Sequence, residues 1–195
     1  MDIGLFGGTF NPIHNGHVAL ATRLLKAAHL DEVWLLVTPQ NPWKAQMELL
    51  DDDIRLLMVR AAVEGIPGLV ASDYEFHLPR PSYTWDTLQA LSRDFPDHRF
   101  TLLIGGDNWE KFGQWYAHDK ILENHDVAIY PRKGYKIDRA ALPPRVRVLR
   151  TRLIDISSTE VRRRVAEGLP FEDLVPPKVA EIIRERRLYV PTTAR

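Results

Sequence analysis

Apolar residues along this chain follow two alternating rhythms. Short apolar runs at residues 3–6, 33–37, 100–104 and 127–130 each end at a turn signal: Gly7-Gly8, Thr38-Pro39, Gly105-Gly106 and Pro131. Runs of that length, so punctuated, predict buried strands. Between them the spacing changes. Val18, Ala21, Leu25 and Ala28, with Leu20 and Leu24 beside them, repeat at helical intervals over residues 16–29. Asp51-Asp52-Asp53 precedes Ile54, Leu57, Met58 and Ala61. Acidic residues suit the first turn of a helix, and the apolar positions after them predict its buried face. Residues 69–71 and 146–149 predict two more strands, and residues 83–94 and 157–167 two more helices. Pro176-Pro177 opens a last helix, with Val179, Ile182 and Ile183 on one side.

Strands that alternate with helices predict the α/β class. The expected architecture is a single doubly wound, Rossmann-like domain with a mostly parallel sheet and a C-terminal helical segment. It is expected over residues 1–190, with a disordered tail at 191–195. Ligands of such sheets bind beyond the carboxyl ends of the strands, where strand order reverses. The loops after the first, second, fourth and fifth strands are therefore where chemistry is expected.

Composition narrows the classes. The chain has 195 residues, with 26 Lys+Arg against 26 Asp+Glu. That balance argues against a dedicated nucleic-acid binder. Without cysteine there is no disulfide framework, thiolate metal site or cysteine nucleophile. No apolar run has the length of a membrane span, and no signal-peptide pattern opens the chain. The expectation is a cytoplasmic protein without membrane or nucleic-acid partners, its homo-oligomeric state left open.

Two constellations carry the chemistry. Gly7-Gly8-Thr9-Phe10-Asn11-Pro12-Ile13-His14-Asn15-Gly16-His17 joins the first strand to the first helix. Glycines there let the backbone approach a ligand, and the helix entrance attracts phosphate. His14 and His17 lie one turn apart and can face the same phosphates. An imidazole donates hydrogen bonds and can carry positive charge as negative charge builds up. Taken singly, either histidine fits a surface residue or half a metal site. The second constellation is Ile156-Ser157-Ser158-Thr159-Glu160-Val161-Arg162. Ser157 with Glu160 fits a capping box. Ser158 and Arg162 share one helical face, so hydroxyl, guanidinium and free amides form a phosphate cradle.

The first segment resembles the signature of the HxGH nucleotidyltransferases, and more narrowly that of the bacterial nicotinate-mononucleotide adenylyltransferase family. The second resembles the family's Ser-Ser/Thr-x-x-Arg motif. The family more often has Asp where this chain has Asn11 and another residue where it has Trp43. The resemblance implies transfer of an adenylyl group from ATP to nicotinate mononucleotide in NAD biosynthesis, with Mg²⁺ accompanying ATP and no dedicated metal ligands. It assigns His14, His17 and Arg162 to catalysis. It assigns Gly7, Gly8, Thr9, Phe10, Gly16, Gly105, Asp107, Ser157, Ser158 and Thr159 to ATP. The acceptor falls to Lys44, at the end of the Asn41-Pro42-Trp43-Lys44 loop, to Ser82, Tyr83 and Thr84 at a helix start, and to Trp115. Nicotinamide mononucleotide as acceptor, a related enzyme such as phosphopantetheine adenylyltransferase, and a nucleotide-binding regulatory module are the alternatives.

Overall fold

Residues 1–39, 49–152 and 156–191 are described by the computed structural model. Lys44 and the loop around it, and residues 192–195 of the expected tail, lie outside them.

Six strands form one sheet: β1 (Asp2–Gly8), β2 (Glu32–Val37), β3 (Leu69–Ser72), β4 (Arg99–Gly105), β5 (Asp126–Tyr130) and β6 (Val146–Val148). Their order is β3-β2-β1-β4-β5-β6, and every pairing is parallel. Chain order thus reverses between β1 and β4, the position at which such sheets open a crevice. The helices are α1 (Asn15–Ala27), α2 (Asp52–Val63), α3 (Thr84–Asp94), α4 (Gly106–Glu110), α5 (His118–Asn124), α6 (Ser158–Ala166) and α7 (Pro177–Glu185). The short helices α4 and α5 lie in the stretch between Gly106 and Asp126, where apolar periodicity had signalled none.

Side-chain alternation along the strands sorts the core onto two faces. Val33, Leu35, Val37, Leu103, Ala128 and Tyr130 join one buried cluster with Leu20, Ala21 and Leu24 of α1 and Met58 and Val59 of α2. Ile3, Leu5, Leu102, Ile104, Val127 and Ile129 join the other, with Leu88 and Leu91 of α3 and Ile121 of α5. Apolar runs without alternation mark strands buried on both sides.

The spacing of α2 was read one position out. Leu57, expected inside, is 38% exposed, while Arg55 is fully buried. Hydrogen bonding is the reason. The guanidinium of Arg55 donates to the carbonyl oxygens of Thr9 at 2.6 Å, Thr38 at 2.9 Å and Leu50 at 2.9 Å, and to Asp52 at 2.5 Å. Asp52 also accepts from Arg80 at 2.9 Å. One cation ties the loops after β1 and β2 to the entrance of α2, so hydropathy mis-sorts it.

Replacing Arg55 with Met should lower unfolding free energy by about 3–5 kcal/mol, the usual cost of breaking a buried ion pair from one side. Urea unfolding measures it. Full stability in Arg55→Met would mean that the loops hold themselves.

Candidate active site

The loop after β1 enters α1 through His14, which occupies the helix cap. His14 and His17 form a reciprocal capping box. The amide of His17 donates to His14 Nδ1 at 3.3 Å, and the amide of His14 donates to His17 Nδ1 at 3.2 Å. Their rings stack 3.7 Å apart. A nitrogen that accepts an N–H carries no proton, so each neutral imidazole holds its proton on Nε2. The box therefore sets the tautomer and leaves two Nε2–H donors for a ligand. Phe10 is buried and sets its ring edge-on to His17 at 5.0 Å.

Charge on these rings is opposed. Burial, with Arg132 adding repulsion, pushes His14 down to about 4. Burial, then His14 and Arg132, holds His17 well below the ordinary imidazole value. At neutral pH both rings are therefore uncharged hydrogen-bond donors.

The second constellation meets the first directly. Ser157 caps α6 by accepting from the Glu160 amide at 3.2 Å. Only half of the expected capping box forms, because the Glu160 carboxylate turns to Arg163 and Arg164. Ser158 Oγ donates to the Pro12 carbonyl at 2.9 Å, and Arg162 Nη1 donates to the Asn11 carbonyl at 2.7 Å. The shared face of Ser158 and Arg162 is thus real, and it grips the loop before α1. Arg162 also donates to Thr159 Oγ1 at 3.3 Å. Tyr189 completes the hold, its hydroxyl 2.8 Å from Asn11 Oδ1.

A pocket of about 930 Å³ opens over this junction. Of the expected residues, His14, Gly16, His17, Asp107, Ser157 and Ser158 line it. Tyr130, Arg132, Tyr135 and Arg152 join them. The first two sit at the carboxyl end of β5, where topology alone directs attention. Asp107 follows Gly105, and a Cβ at Gly105 would collide with the Asp107 carboxylate and lie 3.0 Å from Arg132 Cγ. Glycine there lets the carboxylate fold back over the strand end. Asp107 Oδ1 is buried and makes no hydrogen bond, with Arg132 Nε 3.6 Å away. Among the described residues, no group of three or more His, Asp or Glu is placed to hold a metal ion.

The other expected residues lie apart from the pocket lining. Gly7, exposed, and Gly8 end β1, Thr9 is exposed on the loop that follows, and Arg162 faces a smaller hollow with Leu50 and Tyr189. Ser82, Tyr83 and Thr84 stand at the entrance of α3, where no side chain caps the helix. A helix returning between parallel strands begins at their carboxyl ends, so this entrance shares the sheet edge with His14. Tyr83 lies 5.0 Å from Tyr116, next to Trp115, which packs on Phe112 at 5.2 Å. These acceptor candidates are therefore neighbours of one another.

The cytidylyltransferase-like family model matches residues 5–164. A Bacteroides fragilis protein named "Probable nicotinate-nucleotide adenylyltransferase" is 46% identical over 176 residues, covering 90% of this chain and 88% of its own. A Flavobacterium johnsoniae protein of the same name is 42% identical, covering 97% and 99%. The solved Plasmodium falciparum nicotinic acid mononucleotide adenylyltransferase, complexed with NaAD, superposes with a TM-score of 0.80 at 20% identity over 96% of this chain and 97% of that one. That likeness shows a shared fold.

The histidine box predicts acid sensitivity. Unfolded histidine titrates near 6.5, while His14 folded titrates near 4. Above 6.5 both states are neutral and stability is complete. As pH falls from 6.5 toward 4, the unfolded chain takes up protons that the folded chain refuses, so stability drops. Between about pH 7.5 and pH 5 the loss should be on the order of 2 kcal/mol for His14. His14→Asn, which caps without titrating, should lose correspondingly less in urea unfolding at the two pH values. Equal losses in both proteins would show that His14 is free to protonate.

Proposed function

We propose a reaction for this chain from one premise: it belongs to the cytidylyltransferase-like family, and within it to the nicotinate-nucleotide adenylyltransferases. The reaction is transfer of AMP from ATP to nicotinate mononucleotide, giving nicotinate adenine dinucleotide and pyrophosphate, a step of NAD biosynthesis. One observation carries the chemical reading: two neutral, paired imidazoles at a helix entrance, locked against the N-terminus of a second helix across one pocket.

A phosphate oxygen of the mononucleotide attacks the α-phosphorus of ATP. The new P–O bond forms as the bond to the pyrophosphate oxygen breaks, and no covalent enzyme intermediate is needed. Such transfers depend on positioning and charge stabilisation. His14 and His17 donate Nε2–H to the phosphates without protonating first. The first turn of α6, with Ser157, Ser158 and Thr159, offers amides to the phosphate tail. Arg162 holds the Asn11 carbonyl with one arm and the Thr159 hydroxyl with the other, and so keeps the loop before α1 and the first turn of α6 in register around that tail. Gly7, Gly8, Thr9 and Gly16 bring backbone close to the nucleotide, Phe10 backs His17, and Asp107 accepts from ribose hydroxyls beside Gly105. At the acceptor, the uncapped amides of α3 at Ser82, Tyr83 and Thr84 meet the carboxylate, for which a helix N-terminus is favourable. Trp115 and Lys44 complete that side.

The carboxylates lining the pocket, Asp107 and Glu160, sit beside arginines. The residues suit a metal that arrives on the nucleotide. Mg²⁺ would be held by ATP phosphates and water and would offset their charge. One nucleotidyltransferase domain over residues 1–190, working in the cytoplasm on small molecules, completes the proposal. Among the described residues no helix is long and apolar enough to cross a membrane.

The test is a turnover assay with ATP, Mg²⁺ and either nicotinate or nicotinamide mononucleotide, read as dinucleotide and pyrophosphate. Turnover is expected with the nicotinate substrate. Removing one donor in His17→Ala should lower kcat by about 10²–10³, the usual effect of losing a transition-state hydrogen bond. Preference for the amide substrate would overturn the acceptor. Absence of either dinucleotide would overturn the reaction.

A further inference from the structure

Lysine and arginine equal aspartate and glutamate in number, yet the cations are not evenly paired. Arg60, Arg80, Arg99, Arg145, Arg163 and Arg164 each lie against a carboxylate. Among the described residues, Arg23, Lys26, Arg139, Arg150 and Arg152 have no such ion pair. These five line one groove of about 820 Å³, and no Asp or Glu lines it among the described residues. Their one mutual hydrogen bond runs from Arg23 Nη1 to the Arg152 carbonyl at 3.4 Å. The floor between them is apolar, formed by Ala27, Pro131 and Leu149.

Five like charges brought together from α1, the segment before β6 and the segment after it repel one another in the free protein. An anion reverses that term. Four of the five are arginines, whose planar fork matches phosphate oxygens in pairs. The groove also shares Pro131 and Arg152 with the pocket over His14 and His17. It therefore opens onto the place where phosphates are handled while standing outside it.

We propose that this groove is a second anion site, which binds a chain of linked phosphates, either free oligophosphate or the tail of a nucleoside polyphosphate. The site adjoins the reaction pocket, and its occupancy is communicated through Arg152, the one cation common to both. It stands independently of the acceptor assigned above, since it is read without turnover.

Calorimetric titration of the full chain with inorganic triphosphate tests it. Two equivalents should bind, one in the reaction pocket and one in the groove. In Arg139→Gln/Arg150→Gln, which leaves the pocket lining intact, the second equivalent should weaken by roughly tenfold or more, since each charge-assisted contact contributes about a factor of ten. The variant should keep the wild-type rate of ATP consumption. Adenosine tetraphosphate titrated in parallel separates the sources: tighter groove binding than triphosphate identifies a nucleotide tail, and equal or weaker binding identifies free oligophosphate. A single equivalent in the wild type overturns the site without need of any variant. Two equivalents of unchanged affinity in the variant overturn the assignment to this groove.

Discussion

The carbonyl oxygens of Thr9, Asn11 and Pro12 belong to a loop that no helix or strand ladder serves. A buried carbonyl left without a donor costs about 1–3 kcal/mol. Three side chains from two distant helices supply the donors: Arg55 of α2 to Thr9, and Arg162 and Ser158 of α6 to Asn11 and Pro12. Tyr189, past the end of α7, takes the side chain of Asn11. This one loop is therefore gripped by residues from most of the length of the chain. Its exit sets where α1 begins, and so where His14 and His17 stand. The site is assembled by satisfying backbone oxygens.

That assembly has an electrostatic consequence. Burial and the nearby Arg132 keep both imidazoles neutral, and the capping box consumes Nδ1 of each. The rings offer oriented donors and bring no net charge of their own. Positive potential comes instead from Arg132, from the entrances of α1 and α6, and from the unpaired cations of the adjoining groove. Dividing orientation from charge in this way spares the protein the cost of desolvating two imidazolium ions side by side.

Much of this was legible in the chain. Short apolar runs ended by Gly or Pro placed the strands, because a strand buried on both faces needs little else. Ser157 announced the cap of α6, and the spacing of Ser158 and Arg162 announced their shared face. The two histidines one turn apart marked the entrance of α1. Each of these signals is local: a turn, a cap, or a period of 3.6, decided by neighbours within a few residues.

What the chain did not declare is long-range. Arg55 reads as a polar position on an amphipathic helix, and Leu57 as core; the reverse holds because three carbonyls from other loops converge on Arg55. Tyr189 and Asn11 lie 178 positions apart, and no periodicity connects them. The sequence by itself determined the strands and the longer helices, their class and the residue types needed for phosphate chemistry, since these follow from local propensity and spacing. Tertiary structure alone decided which carbonyls needed donors, which cation went inside, and which others were left facing one groove. Those outcomes depend on distances between segments that meet only after the sheet has formed.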